Sequence, residues 1–94
     1  MTVEKLISER SGTIVDVRTA GEFSGGHVAG SLNIPLNELP KRLDEVKGLE
    51  MPLVLCCASG MRSSQAESFL SREGIECLNG GSWLEINFLQ SENL

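Results

Sequence analysis

Ninety-four residues, 40% of them hydrophobic, suffice for one domain with a modest core and leave no room for a second. Eight Lys and Arg against thirteen Asp and Glu give a formal charge of −5 with no basic run, which argues against nucleic-acid or anionic-membrane partners. No apolar stretch is long enough to span a bilayer and no apolar segment of signal-peptide type follows Met1, so the expected compartment is the cytoplasm. The three cysteines, two of them adjacent, fit neither a disulfide framework nor a zinc site; free thiols are expected, with no metal and no organic cofactor.

In chain order, Val3, Leu6 and Ile7 fall at helical spacing behind Thr2, predicting a short amphipathic helix that stops near Gly12. Residues 13–17 are rich in β-branched side chains and predict a strand ending in the polar pair Asp16 and Arg18. Thr19 and Glu22 match a capping box that opens a helical turn through Phe23, closed by Gly25 and Gly26. Residues 31–34 predict a short strand closed by Pro35, which cannot donate to a ladder. Leu36, Leu39, Leu43 and Val46 share one helix face, with Pro40 suited only to the first turn and Gly48 near the C-cap.

The run from Leu53 to Cys57 is apolar on both faces, as in a central parallel strand covered on both sides. A helix over 63–72 buries Ala66, Phe69 and Leu70 and ends at Gly74. Residues 75–78 predict a last strand; Asn79, Gly80, Gly81 and Ser82 then turn the chain into a helix carrying Trp83, Ile86 and Leu89, and the tail 90–94 is expected to fray. Strands alternating with helices indicate an α/β fold with a mostly parallel sheet.

Strand, tight loop and helix meet at Cys57-Ala58-Ser59-Gly60-Met61-Arg62-Ser63, where free backbone N–H groups and the positive end of a helix dipole favour a thiolate. Cys57 is therefore the candidate nucleophile. Four residues separate it from Arg62, enough to wrap one soft sulfur in N–H donors but tight for a tetrahedral oxyanion. Counting from Cys56 gives the five-residue spacing of cysteine phosphatases and arsenate reductases, but one step along a strand turns the side chain to the opposite face, and Cys56 is read as packing. Arg62 is read as a cation that attracts an anionic donor, and Ser63 as an N-cap whose hydroxyl lies within reach of the sulfur. Asp16, Arg18 and Glu22 are read as structural support, with an Arg18–Glu22 pair. His27 is read as structural or surface, Trp83 as core, and Cys77 as simple burial rather than a resolving thiol on the active edge.

Taken together, Asp16-Val17-Arg18 with Glu22-Phe23, Gly26-His27-Val28-Ala29-Gly30-Ser31, Asn33-Ile34-Pro35, the Cys57–Ser63 loop and Asn79-Gly80-Gly81-Ser82-Trp83 resemble a single-domain rhodanese-like sulfurtransferase. The resemblance implies one rhodanese domain over 1–94, with a four- to five-stranded mostly parallel sheet and helices on both faces. It also implies a ping-pong reaction through a Cys57 persulfide, cradled by Ala58, Ser59, Gly60, Met61, Arg62 and Ser63. The implied donor is thiosulfate, polysulfide or a persulfide-carrying protein, and the implied acceptor a thiol or cyanide. Ala58 and Met61 make the loop mouth apolar, which points toward polysulfide or a protein persulfide. Two other readings stay open at this point: a non-catalytic binding or regulatory module, and a phosphatase or arsenate reductase using Cys56.

Overall fold

A computed structural model describes residues 2–93. The chain opens with α1 (Val3–Glu9), capped by the Thr2 hydroxyl on the Lys5 amide and closed by Arg10 in the left-handed region. Then follow β1 (Thr13–Asp16), α2 (Ala20–Ser24), β2 (Leu32–Asn33), a 3-10 helix (Leu36–Arg42) running into α3 (Leu43–Lys47), β3 (Leu53–Cys57), α4 (Met61–Arg72), β4 (Cys77–Ser82) and α5 (Trp83–Ser91). Both halves of the capping box are present at Thr19 and Glu22, so α2 begins where its sequence says it should.

The sheet has four strands, all parallel, in the order β2-β1-β3-β4. All five residues of β3 are buried, and they alternate between two cores. Leu53, Leu55 and Cys57 pack with Val15, Leu39, Val46, Ala66 and Leu70, under the 3-10 helix, α3 and α4. Val54 and Cys56 pack with Leu6, Ile7, Val28 and Ile86, under α1 and α5. Layers on both faces leave only the strand ends free for chemistry. Because β1 continues outward to β2 and β3 outward to β4, the loops after β1 and β3 diverge at the centre of the sheet. That divergence is the switch point at which parallel sheets of this kind form a crevice, at the carboxyl ends of the strands.

Several boundaries differ from the sequence expectation. The single helix expected after Pro35 is split: Pro40 has no N–H for an α-helical bond, so the chain is 3-10 through Arg42 and α-helical only from Leu43. The last strand is Cys77–Ser82, so Asn79, Gly80 and Gly81 belong to the sheet rather than to a turn. Its pairing with β3 shifts register between Leu55 and Cys56, leaving Gly80 as the extra residue of a bulge. A Cβ on Gly80 would stand 2.9 Å from both Val54 and Ile86, which is why the strand carries glycine there. Of the tail expected to fray, Gln90 and Ser91 continue α5, while Leu94 lies outside the described residues. Among the described helices none is long and apolar enough to cross a membrane.

Candidate active site

Cys57 ends β3 and α4 begins four residues later, so the intervening backbone must turn sharply. Gly60 supplies the turn with φ +97°, and a Cβ there would meet the Gly81 backbone at 3.4 Å. The consequence is a ring of donors around one atom. Cys57 Sγ accepts the Gly60 N–H at 3.0 Å and the Ser63 N–H at 3.4 Å, with the Ser63 hydroxyl also 3.4 Å away. Burial pushes the Cys57 thiol up, but hydrogen bonds from the Ser63 hydroxyl and the amides of Ser63, Gly60 and Ser59 outweigh it and hold the thiol below its ordinary range. Ala58, Ser59 and Met61 face solvent around this ring, Met61 with 72% of its surface exposed.

Ser63 is not the N-cap expected of it. Helix α4 starts at Met61 behind Gly60, which places Ser63 inside the first turn, fully buried and turned toward the sulfur. Its hydroxyl donates to Asn79 Oδ1 at 2.7 Å. Asn79 is a participant that sequence reasoning passed over as a turn residue. Its Oδ1 also accepts the Gly81 N–H at 2.9 Å, its Nδ2 donates to the Gly60 carbonyl at 3.2 Å, and its own N–H donates to Glu67 at 3.0 Å. One side chain thus fixes both the Gly60 peptide and the Ser63 hydroxyl, the two groups that converge on Cys57. An Asn followed by two glycines after an apolar run carries that signal only once the run is known to be a strand beside β3.

The charged residues pair differently from expectation. Asp16 is fully buried, and its carboxylate takes Arg18 through three contacts of 2.8 to 3.0 Å plus the Arg18 N–H. Arg18 also donates to the Gly26 carbonyl at 2.7 Å and lies over the Trp83 ring at 4.7 Å. Toward Glu22 it reaches only the backbone carbonyl, at 3.4 Å. The expected Arg18–Glu22 ion pair is therefore absent, because a buried carboxylate two residues away needs the guanidinium more than a solvated one does. The Glu22 carboxylate instead receives Arg62 with both oxygens, at 2.7 and 3.0 Å. This fork, helped by the Thr19 amide, lowers Glu22 to about 2 and raises Arg62.

The remaining candidates lie elsewhere. Cys56 points to the opposite face, fully buried among apolar side chains, and burial with Asp16 nearby pushes its thiol up to about 12. Nothing in that position suits a phosphatase nucleophile. Cys77 opens β4 opposite Leu53, so it sits at the far edge of the sheet from Cys57 and not on the active edge. Burial raises its thiol, and a direct resolving role is excluded by four strand residues, about 13 Å. His27 stacks on Phe23 at 3.7 Å with Nδ1 2.7 Å from the Phe23 carbonyl. Among the described residues no cluster of His, Cys, Asp or Glu is placed to hold a metal.

Comparison with known proteins finds a Rhodanese-like domain over residues 2–83. The chain is 39% identical over 75 residues to the uncharacterized protein YqhL of Bacillus subtilis, covering 77% of this chain and 59% of that protein. It is 30% identical over 88 residues to thiosulfate sulfurtransferase GlpE of Shewanella oneidensis, covering 88% and 86% respectively. Among solved structures it superposes on reduced Bacillus anthracis CoADR-RHD with a TM-score of 0.74 and 30% identity, over 96% of this chain and 16% of that one. A rhodanese with anions from E. coli superposes with a TM-score of 0.70 and 31% identity, over 78% of this chain and 88% of that one. A strand-loop-helix cysteine ringed by amides, a four-stranded parallel sheet and these similarities converge: the chain belongs to the rhodanese-like domain family.

Proposed function

We propose that this chain is a rhodanese-type sulfurtransferase in which Cys57 carries the sulfur. The observation that bears most weight is the convergence of the Gly60 amide, the Ser63 amide and the Ser63 hydroxyl on one sulfur atom at the start of α4. Such a bowl stabilises a thiolate and, after transfer, the terminal anion of a persulfide. Sulfurtransferases among its relatives support the same reading.

In the first half-reaction the Cys57 thiolate attacks the sulfane sulfur of a donor R–S–SH. The donor S–S bond breaks, a Cys57 S–S bond forms, and R–S⁻ leaves. In the second, a thiol or cyanide attacks the outer sulfur and returns Cys57 as thiolate, so no net oxidant or reductant is consumed. Ala58, Ser59, Gly60, Met61 and Ser63 shape the cradle, Arg62 stands at its rim, and Asp16, Arg18 and Glu22 brace the neighbouring loop. Residues 1–94 serve as one rhodanese unit. The three free cysteines suit a reducing compartment, and we place the activity in the cytoplasm.

The test is intact-mass spectrometry after incubation with a sulfane-sulfur donor. The expected result is a gain of one sulfur that maps to Cys57, disappears on adding cyanide, and does not occur in Cys57→Ser. No gain with thiosulfate, polysulfide or an alkyl persulfide would refute the reading.

A further inference from the structure

We infer that Glu22 is a specificity-determining residue: by occupying Arg62 it leaves the site, among the described residues, without an unpaired cation, so that the preferred donor is a persulfide-terminated thiol rather than a small dianion such as thiosulfate. The inference rests on the sulfurtransferase reading above and concerns which donor that same site accepts.

The geometry is that of a clasp. Glu22 stands on α2, after β1, and Arg62 on α4, after β3, so their pair spans the crevice where the two loops diverge. Both terminal guanidinium nitrogens of Arg62 are spent on the two carboxylate oxygens, at 2.7 and 3.0 Å. The other guanidinium on this rim, Arg18, is spent on Asp16, the Gly26 carbonyl and the Trp83 face. The loop side chains that remain, Ala58, Ser59 and Met61, carry no charge. The Glu22 carboxyl is held down to about 2, so the clasp stays ionised at every working pH.

An incoming dianion therefore meets the Cys57 thiolate with no unpaired side-chain cation among the described residues to offset it. Two charges against one at about 4 Å in a water-like dielectric cost roughly thirtyfold in local concentration, whereas an alkyl persulfide, with at most one charge on its terminal sulfur, meets at most about fivefold. The exposed Met61 and Ala58 offer instead an apolar rim, which suits the carbon body of a thiol persulfide.

Glu22→Gln tests this cleanly, because glutamine at the same position keeps the capping box while releasing Arg62 from its counter-charge. The readout is the ratio of kcat/KM for thiosulfate to that for 2-hydroxyethyl persulfide, with thermal melting to confirm the fold. The ratio should rise about fivefold over the wild type, the effect of the dianion's one extra charge at about 4 Å. Glu22→Asp, one methylene shorter and pulled back from the guanidinium, should raise it by a smaller factor and serves as the second probe. An unchanged ratio in both variants overturns the inference and leaves sulfur transfer standing. Failure of the wild type to take sulfur at Cys57 from either donor overturns the sulfurtransferase reading and the inference with it.

Discussion

Ser63→Ala removes one hydroxyl from the ring around Cys57 and leaves the amide in place, so it isolates a single side-chain contribution to thiolate stability. The hydroxyl lies 3.4 Å from Sγ but donates to Asn79 Oδ1 at 2.7 Å in the resting arrangement. When the thiol ionises, the hydroxyl turns to the sulfur, and Asn79 Oδ1 keeps the Gly81 N–H at 2.9 Å. A hydrogen bond to a charged acceptor contributes ~2 kcal/mol net, and the abandoned neutral one ~1 kcal/mol, leaving about 1 kcal/mol in favour of the thiolate. That is about a fivefold change in thiolate fraction at a pH below the midpoint. The assay is the rate of iodoacetamide alkylation at Cys57 as a function of pH, with the modified residue identified by mass. Cys56, pushed up to about 12, and Cys77, raised by burial, stay protonated and do not compete near neutral pH. At pH values below the midpoint, alkylation of Ser63→Ala should fall about fivefold, with the midpoint itself moved upward. Unchanged or faster alkylation would refute the idea that this hydroxyl stabilises the thiolate.

Two further outcomes concern the fold. Glu22 is lowered from 4.5 to about 2 by Arg62 and the Thr19 amide, so the stability it contributes is fully present above pH 4.5 and is lost as pH falls through about 2. Thermal melts across that window should show a flatter acid limb for Glu22→Gln than for the wild type, and parallel limbs would refute the linkage. Gly80→Ala adds a Cβ 2.9 Å from Val54 and Ile86 and 3.0 Å from the Leu55 carbonyl, and should destabilise by about 2 kcal/mol in urea titration, a neutral result being the contrary one.

Much of the fold was legible because its determinants are local. The β-branched run before Asp16, the Thr19–Glu22 box and the doubly apolar run before Cys57 each name their element without reference to the rest of the chain. Two places where the reading slipped are ones where a local signal meets a tertiary demand. Asn79, Gly80 and Gly81 carry turn chemistry, yet the backbone of β4 has to approach Val54 and Ile86 more closely than any side chain allows, so glycine marks a strand bulge. After Pro35 the apolar spacing is helical throughout, but Pro40 withholds one N–H in the middle of it, and the chain settles into a tighter helix until Leu43.

The site shows a different limit: its residues were legible, and its partners were not. Arg18 and Glu22 are four apart and opposite in charge, which is what a local rule pairs. The rule fails because the carboxylate of Asp16, fully buried in β1, has no water to bind and takes Arg18 as its partner. That claim leaves the Glu22 carboxylate free for Arg62, forty residues on, and the β2-β1-β3-β4 order brings the two within reach. A burial requirement on one side of the crevice thereby fixes the charge on the other. The same logic holds for Ser63, whose hydroxyl is governed by Asn79 sixteen residues away on the neighbouring strand. The charges and hydroxyls around the cysteine loop are thus held by side chains outside it, through pairings that the strand order creates.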